Sequence, residues 1–211
     1  MVEHDFYNRY WTGKLPKMLL FGEAPKWEEK EVKRYLDLTD KWLSPNDRIM
    51  DYGCGEGHFI SRLKSKYVWG VDVSEKAVER AEKLYPNLAF STTDIFLPLK
   101  FDVITSFDVF EHIFDFDEVF KYINAHLKPG GKLIIATNEM CFLKMAAIGL
   151  FYMDTFFYPY SPHIRFFTRK TLQELLESKG YKVIHYDRIH NHFGFLSSGQ
   201  FVVAERYEVL H

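Results

Sequence analysis

From Arg48 onward, short and nearly unbroken apolar runs alternate with longer stretches of helical periodicity. The runs Arg48–Tyr52, Tyr67–Asp72, Leu88–Thr92, Phe101–Ser106 and Lys132–Thr137 read as strands. Between them, Glu75–Leu84 and Phe116–Leu127 read as helices. Ser74 is placed to cap the first, and Val119, Phe120, Ile123 and Leu127 make the apolar stripe of the second. Strands and helices alternating at this spacing require a parallel sheet. Pro129-Gly-Gly131 turns the chain into the fifth strand. Beyond Asn138–Phe167, Thr168 caps a helix carrying Leu172, Leu175 and Leu176, which Gly180 ends. Tyr181–Asp187 and Gln200–Tyr207 then read as two strands paired antiparallel. Upstream, Lys26–Leu43 has helical spacing through Trp27, Val32, Tyr35, Leu36, Leu38 and Trp42, until Ser44-Pro-Asn-Asp47 stops it. Phe6–Trp11 is aromatic but irregular. No repeat or linker intervenes, so the expectation is one domain, 1–211, with an N-terminal helical segment, 1–47, and an inserted cap, 138–167.

The polar punctuation is most informative after the first strand. Asp51-Tyr-Gly53-Cys-Gly55-Glu-Gly57 places three glycines at alternate positions, and His58–Leu63 reads as the start of a helix. Glycines open backbone conformations closed to other residues and clear side chains from a ligand's path. A dinucleotide fingerprint needs G-x-G-x-x-G, but position 58 is His and the third glycine comes one residue early. Asp72 ends the second strand, where an acid can accept hydrogen bonds from ribose hydroxyls. The site is therefore built for a nucleoside, with little provision for a pyrophosphate.

That D-x-G-x-G-x-G pattern, with an acid closing the second strand, resembles the class I S-adenosylmethionine-dependent methyltransferases. The likeness extends through Asp94, Phe101-Asp-Val-Ile-Thr-Ser-Phe107 and Leu127-Lys-Pro-Gly-Gly-Lys-Leu-Ile-Ile135. Glu111-His112 and His163-x-Arg165-Phe-Phe-Thr168 look most like the small-molecule and quinone-type O- and C-methyltransferases. The resemblance implies a Rossmann-like α/β fold: a seven-stranded, mostly parallel sheet with helices on both faces, the last strand antiparallel, and a helical, aromatic cap after the fifth strand. It also implies S-adenosylmethionine as cofactor. Asp51, Tyr52 and Phe107 would lie near its methionine end, Asp72 would meet the ribose, Asp94 and Ile95 the adenine, and Gly53, Gly55, Gly57 and Val73 would complete the cofactor-binding set.

Composition narrows the function further. The net charge of −2 gives no field for nucleic acid. Two cysteines form no disulfide framework and suit a reducing, cytoplasmic setting. No signal peptide is visible, and the longest apolar run, Met145–Met153, is far short of the ~20 residues of a membrane span. The aromatic share of 18% exceeds what the strands absorb, so a thick core or an aromatic-lined pocket must take the rest. Much of it lies in Phe142–Tyr160, whose place beside the sheet's carboxyl edge favours the enzyme's own cleft, with a homodimer contact as the rival.

Methyl transfer asks little covalent chemistry of a protein, but a hydroxyl acceptor must lose its proton. Histidine is the side chain best tuned for that. His112 is the first candidate base and His163 the second; a capping role explains His112 equally well. Arg165 could bind an acidic group on the acceptor. His190-x-His192 lacks a third ligand, so no metal is expected. The expected function is methylation, at oxygen or carbon, of a small and partly apolar acceptor. The alternative is a non-catalytic module on the same fold that senses the cofactor or a partner.

Overall fold

A computed structural model describes residues 2–12, 29–157, 163–190 and 197–207. Seven strands, β1 (Arg48–Tyr52), β2 (Tyr67–Asp72), β3 (Ala89–Thr92), β4 (Phe101–Phe107), β5 (Leu127–Asn138), β6 (Tyr181–His190) and β7 (Ser197–Arg206), form one sheet in the order β3-β2-β1-β4-β5-β7-β6. The last strand, β7, is antiparallel to both of its neighbours, as expected. The chain divides into two compact units, residues 1–105 and 106–211, the cut falling within β4.

The first unit holds α1 (Val2–Trp11), α2 (Glu29–Thr39), β1 (Arg48–Tyr52), β2 (Tyr67–Asp72), α3 (Glu75–Leu84), β3 (Ala89–Thr92) and most of β4 (Phe101–Phe107). β2, β1 and β4 run parallel, Asp51 standing opposite Gly70 on one side and Thr105 on the other. Ile49, Met50, Val71, Val103 and Ile104 are buried, as strands covered on both faces must be. α3 presents Ala77, Val78 and Ala81 to this core, and Val32 and Tyr35 of α2 are buried. Two expectations need correction. Phe6–Trp11 is not irregular but the second half of α1, whose rings pack edge to face: Phe6 on Tyr7, Tyr7 on Tyr10 and Tyr10 on Trp11. His58–Leu63 yields a single 3-10 turn, Ile60–Arg62, after which Leu63 is already extended toward β2. Residues 26–28, with which the second helix was expected to begin, lie outside the described residues.

The second unit contains α4 (Phe116–His126), β5 (Leu127–Asn138), α5 (Phe142–Ala147), α6 (Met153–Phe156), α7 (Arg169–Ser178), β6 (Tyr181–His190) and β7 (Ser197–Arg206). Asp115 caps α4 by accepting from the Asp117 and Glu118 amides, and Thr168 caps α7 in a reciprocal box with Thr171. Phe120 and Ile123 of α4 are buried, as are Leu172 and Leu176 of α7, Leu133–Ala136 of β5 and Phe201–Ala204 of β7. Each such large side chain contributes about 1.5–3 kcal/mol of burial. The cap is helical as expected, a π-helical turn at Ile148–Tyr152 joining α5 to α6. Its aromatics, however, are not turned into a cleft. Phe142, Leu150 and Phe151 are 84%, 75% and 76% exposed, while Met140, Ile148 and Phe167 are buried. Tyr158 and Tyr160 lie outside the described residues, as does His192. Among the described residues, no helix is long and apolar enough to cross a membrane.

Candidate active site

In the first unit the glycine loop is a cradle tied at both ends. The Gly53 and Cys54 amides both donate to the Val71 carbonyl, at 2.7 and 3.0 Å, so the loop folds back over the end of β2. Gly55 and Gly57 have φ values of 53° and 80°, in the left-handed region that favours glycine. A Cβ on Gly57 would lie 2.8 Å from the Phe90 ring, and one on Gly55 would lie 3.1 Å from the Trp11 indole. Gly70, which the sequence reading did not single out, is needed as much: its Cβ would meet Phe90 at 2.6 Å and Cys54 Sγ at 2.8 Å.

Asp72 does more than end a strand. One carboxylate oxygen accepts from the Gly55 amide at 2.9 Å and the other from the Ser74 amide at 2.8 Å. It therefore holds the glycine loop against the start of α3. Ser74 caps α3 through the Ala77 amide and donates to Asn8 Oδ1 at 2.7 Å, which fastens α1 to the same corner. Asp51 is buried and takes a 2.6 Å hydrogen bond from Thr105 Oγ1. Burial pushes its pKa up to about 7, the Thr105 bond partly offsetting the rise and the Asp72 charge adding to it. Burial also raises the Cys54 thiol, with both acids adding to the effect. Tyr52 and Val73 are half-buried at the two strand ends, while Asp94 and Ile95 are exposed in the turn after β3. The Ile95 amide, which the resemblance implies for adenine, donates to Thr92 O at 3.2 Å here.

The second unit gathers a different set. Phe107 is buried at the end of β4, and Asp108 follows with φ 54°, an unusual value for a residue with a side chain. Phe110–His112 form a 3-10 turn. Glu111, buried, is its anchor: its carboxylate accepts from Thr137 Oγ1 at 2.7 Å and Asn138 Nδ2 at 3.1 Å. Its carbonyl accepts from the Ile164 and Arg165 amides at 2.9 and 3.0 Å. That last pair of bonds brings the far side of the cap back to the turn, and His163 onto His112, with ring centroids 4.8 Å apart. Burial pushes the pKa of His163 down to about 4, with positive charge at His112 and Lys144 adding to the effect. Arg165 donates to the carbonyls of Ile113 and Phe114, at 3.3 and 2.8 Å, and so braces main chain rather than reaching for an acceptor.

Glu111, His112 and His163 each bring one ligand atom within 4.8 Å of the others. Such a trio can hold a cation. Both Glu111 oxygens already accept hydrogen bonds, and the Lys144 ammonium acts on Glu111 and His163 alike. Sequence reasoning could name the two histidines but not their meeting, because the contact is made by main-chain hydrogen bonds to Glu111.

Residues 17–186 match the family described as "Methyltransferase domain". A ubiquinone biosynthesis O-methyltransferase of Coxiella burnetii is 26% identical over 205 residues, covering 78% of this chain and 87% of that protein. A phosphoethanolamine N-methyltransferase of Triticum aestivum is 33% identical over 116 residues, which span 50% of this chain but only 23% of the relative. Among solved structures, the magnesium protoporphyrin IX methyltransferase of Synechocystis with bound SAH superposes with a TM-score of 0.65 at 16% identity, covering 97% of this chain and 98% of that one. A SAM-dependent methyltransferase of Methanosarcina mazei gives 0.61 at 21% identity, covering 81% and 97%. With the glycine cradle, the acid-tipped strands and the sheet order, these matches place the chain in the methyltransferase-domain family, as a class I S-adenosylmethionine-dependent methyltransferase.

Proposed function

We propose that this enzyme methylates an oxygen of a small, partly apolar acceptor, within a single functional domain. S-adenosylmethionine supplies an electrophilic methyl group on a sulfonium. The loop Gly53–Gly57 suits it because its glycines keep Cβ atoms out of the cradle, and the buried Asp51 carboxyl suits the ammonium of its methionine end. Asp72 would meet the ribose hydroxyls, with Tyr52, Val73, Asp94 and Ile95 of the first unit completing the set.

The observation that carries the oxygen reading is the His112–His163 pair. A hydroxyl is a poor nucleophile until its proton has somewhere to go. His163, held neutral by its burial, is a weak base, which suits it to orient the acceptor or its partner ring. His112 is then the residue that takes the proton. The O-methyltransferase name of the Coxiella relative agrees with this reading. The exposed aromatics of the cap suit a contact between two copies of the chain.

The test begins with mass spectrometry of the co-purified nucleoside and acceptor, then a turnover screen on small hydroxylated compounds. His112→Ala should leave affinity for the demethylated product within a few-fold and lower turnover by about 10²-fold or more. Full turnover in that variant would remove His112 from the mechanism.

A further inference from the structure

We propose that Glu139 and Gln200 form a subsite for an uncharged hydrogen-bond donor on the methyl acceptor, a hydroxyl or an amide N–H set apart from the oxygen that is methylated. This rests on the reading of the second unit as the acceptor's side of the enzyme. Glu139 is 2% and Gln200 0% exposed, yet among the described residues neither Glu139 Oε2 nor Gln200 Oε1 has a hydrogen-bond partner. A buried acceptor that has given up water without gaining a donor costs stability, so folded chains keep few of them.

The two oxygens belong to one cluster. Glu139 follows the end of β5 and is bridged to Phe167. Gln200 of β7 stands opposite Thr137, two residues before Glu139, and opposite Arg188 of β6. Paired residues share a face and side chains alternate along a strand, so Glu139, Gln200, Arg188 and Tyr186 lie on the same face. Glu139 Oε1 accepts from Tyr186 Oη at 2.9 Å and Arg188 Nε at 3.2 Å. Because β7 lies between β5 and β6, those bonds carry the glutamate across β7 beside Gln200. The Gln200 amide nitrogen donates to the carbonyls of Asn138 and Phe167, each at 3.3 Å, one the neighbour of Glu139 and the other its bridge partner. Reversing that amide would set its oxygen against two carbonyls, so Oε1 is fixed as the acceptor.

The surroundings choose the ligand. Arg188 already balances the Glu139 charge, and the Lys144 ammonium donates to the Glu139 carbonyl at 3.1 Å. A metal ion or an ammonium would meet both cations, whereas a neutral donor meets no such repulsion. The Arg188 side chain is 54% exposed, so the cluster reaches solvent on that side. The chain returning from the cap links this place to the histidines. It runs from His163, against His112, through Ile164 and Arg165 on the Glu111 carbonyl, to Phe167. Four residues of chain reach at most about 14 Å, so one elongated acceptor can span both.

The test is calorimetry of para-hydroxyphenylacetamide and of its N,N-dimethyl amide, which lacks N–H donors, with the enzyme complexed with S-adenosylhomocysteine. Wild type should bind the primary amide about tenfold or more tightly. Glu139→Gln keeps an oxygen for Tyr186 and Arg188 but sets an NH2 where Oε2 stood, and should erase the preference while the dimethyl amide binds as before. Gln200→Met, checked by thermal melting, serves if the first variant does not fold. Equal affinities in wild type, the result expected if ordered water alone meets these oxygens, would overturn the proposal. So would failure of both amides to bind, or an undiminished preference in a folded variant. Turnover with S-adenosylmethionine separates the two readings. Preferential binding without methyl transfer to the phenol oxygen would remove the oxygen reading and keep the subsite, whereas methylation of both amides at equal affinity removes only the subsite.

Discussion

Asp51 offers the sharpest test of the donor cradle, because its charge should be linked to ligand binding. The carboxyl is buried, it accepts a hydrogen bond from Thr105, and its pKa is raised to about 7. About nine in ten free molecules should then carry it protonated at about pH 6, and about one in ten at about pH 8. An ammonium about 4 Å from the ionised group is worth about 4 kcal/mol at an effective dielectric of about 20, enough to return the pKa to the ordinary range. Binding of S-adenosylhomocysteine through its ammonium must therefore expel the proton. Affinity should rise about tenfold between about pH 6 and about pH 8, a gain of about 1.4 kcal/mol. Calorimetry in buffers of different ionisation enthalpy reads the released proton directly.

The sign for stability is opposite. A raised folded-state pKa adds stability that is fully present below the unfolded value near 4 and is lost as pH rises through about 7. Donor-free wild type should lose up to roughly 4 kcal/mol from this residue across that window, and Asp51→Asn should not. The variant should also bind the product more weakly and with no pH slope. A flat wild-type affinity, or an Asp51→Asn variant keeping the wild-type slope, would refute the reasoning.

Gly57→Ala combines a left-handed φ with a Cβ 2.8 Å from the Phe90 ring, so it should lower stability by about 1–3 kcal/mol and weaken product binding more than ten-fold. A wild-type melting temperature and dissociation constant would remove the cradle's steric argument. Chelators should leave turnover unchanged if Glu111, His112 and His163 handle protons; activity lost to a chelator and restored by magnesium would make the trio a cation site. Phe142→Ser with Phe151→Ser should reduce self-association in sedimentation velocity while sparing product binding, and an unchanged sedimentation profile would end the dimer reading.

Much of the fold was legible because local signals agreed with one another. Ser74 and Thr168 both cap the helices they were read to cap, and Glu75–Leu84 has the expected bounds. The strand ends that carry Asp51 and Asp72 could be placed because a chain buried on both faces admits few polar residues except where the strand stops. What the sequence hid was division of labour within one side chain. Asp72 looked like a ligand group free of structural duty, yet it staples the Gly55 and Ser74 amides together. Spacing alone cannot reveal which main-chain amides will need an acceptor.

The same limit applies more strongly to the second unit. His112 and His163 are read singly from sequence, but their partnership is made by the carbonyl of Glu111 accepting two amides from the chain beyond the cap. Such a contact leaves no periodicity, because the main-chain groups that form it are common to every residue. Glu111 was visible as half of a motif, and its buried carboxylate shows why a glutamate stands there. It reaches Thr137 and Asn138 at the end of β5 while its own carbonyl holds the returning chain. A glutamine in its place could keep one of these side-chain bonds as acceptor, but its amide nitrogen would face a donor. The geometry of the histidine pair thus depends on this acid, and Glu111→Gln should disturb the His112–His163 contact before it disturbs the charge of either ring.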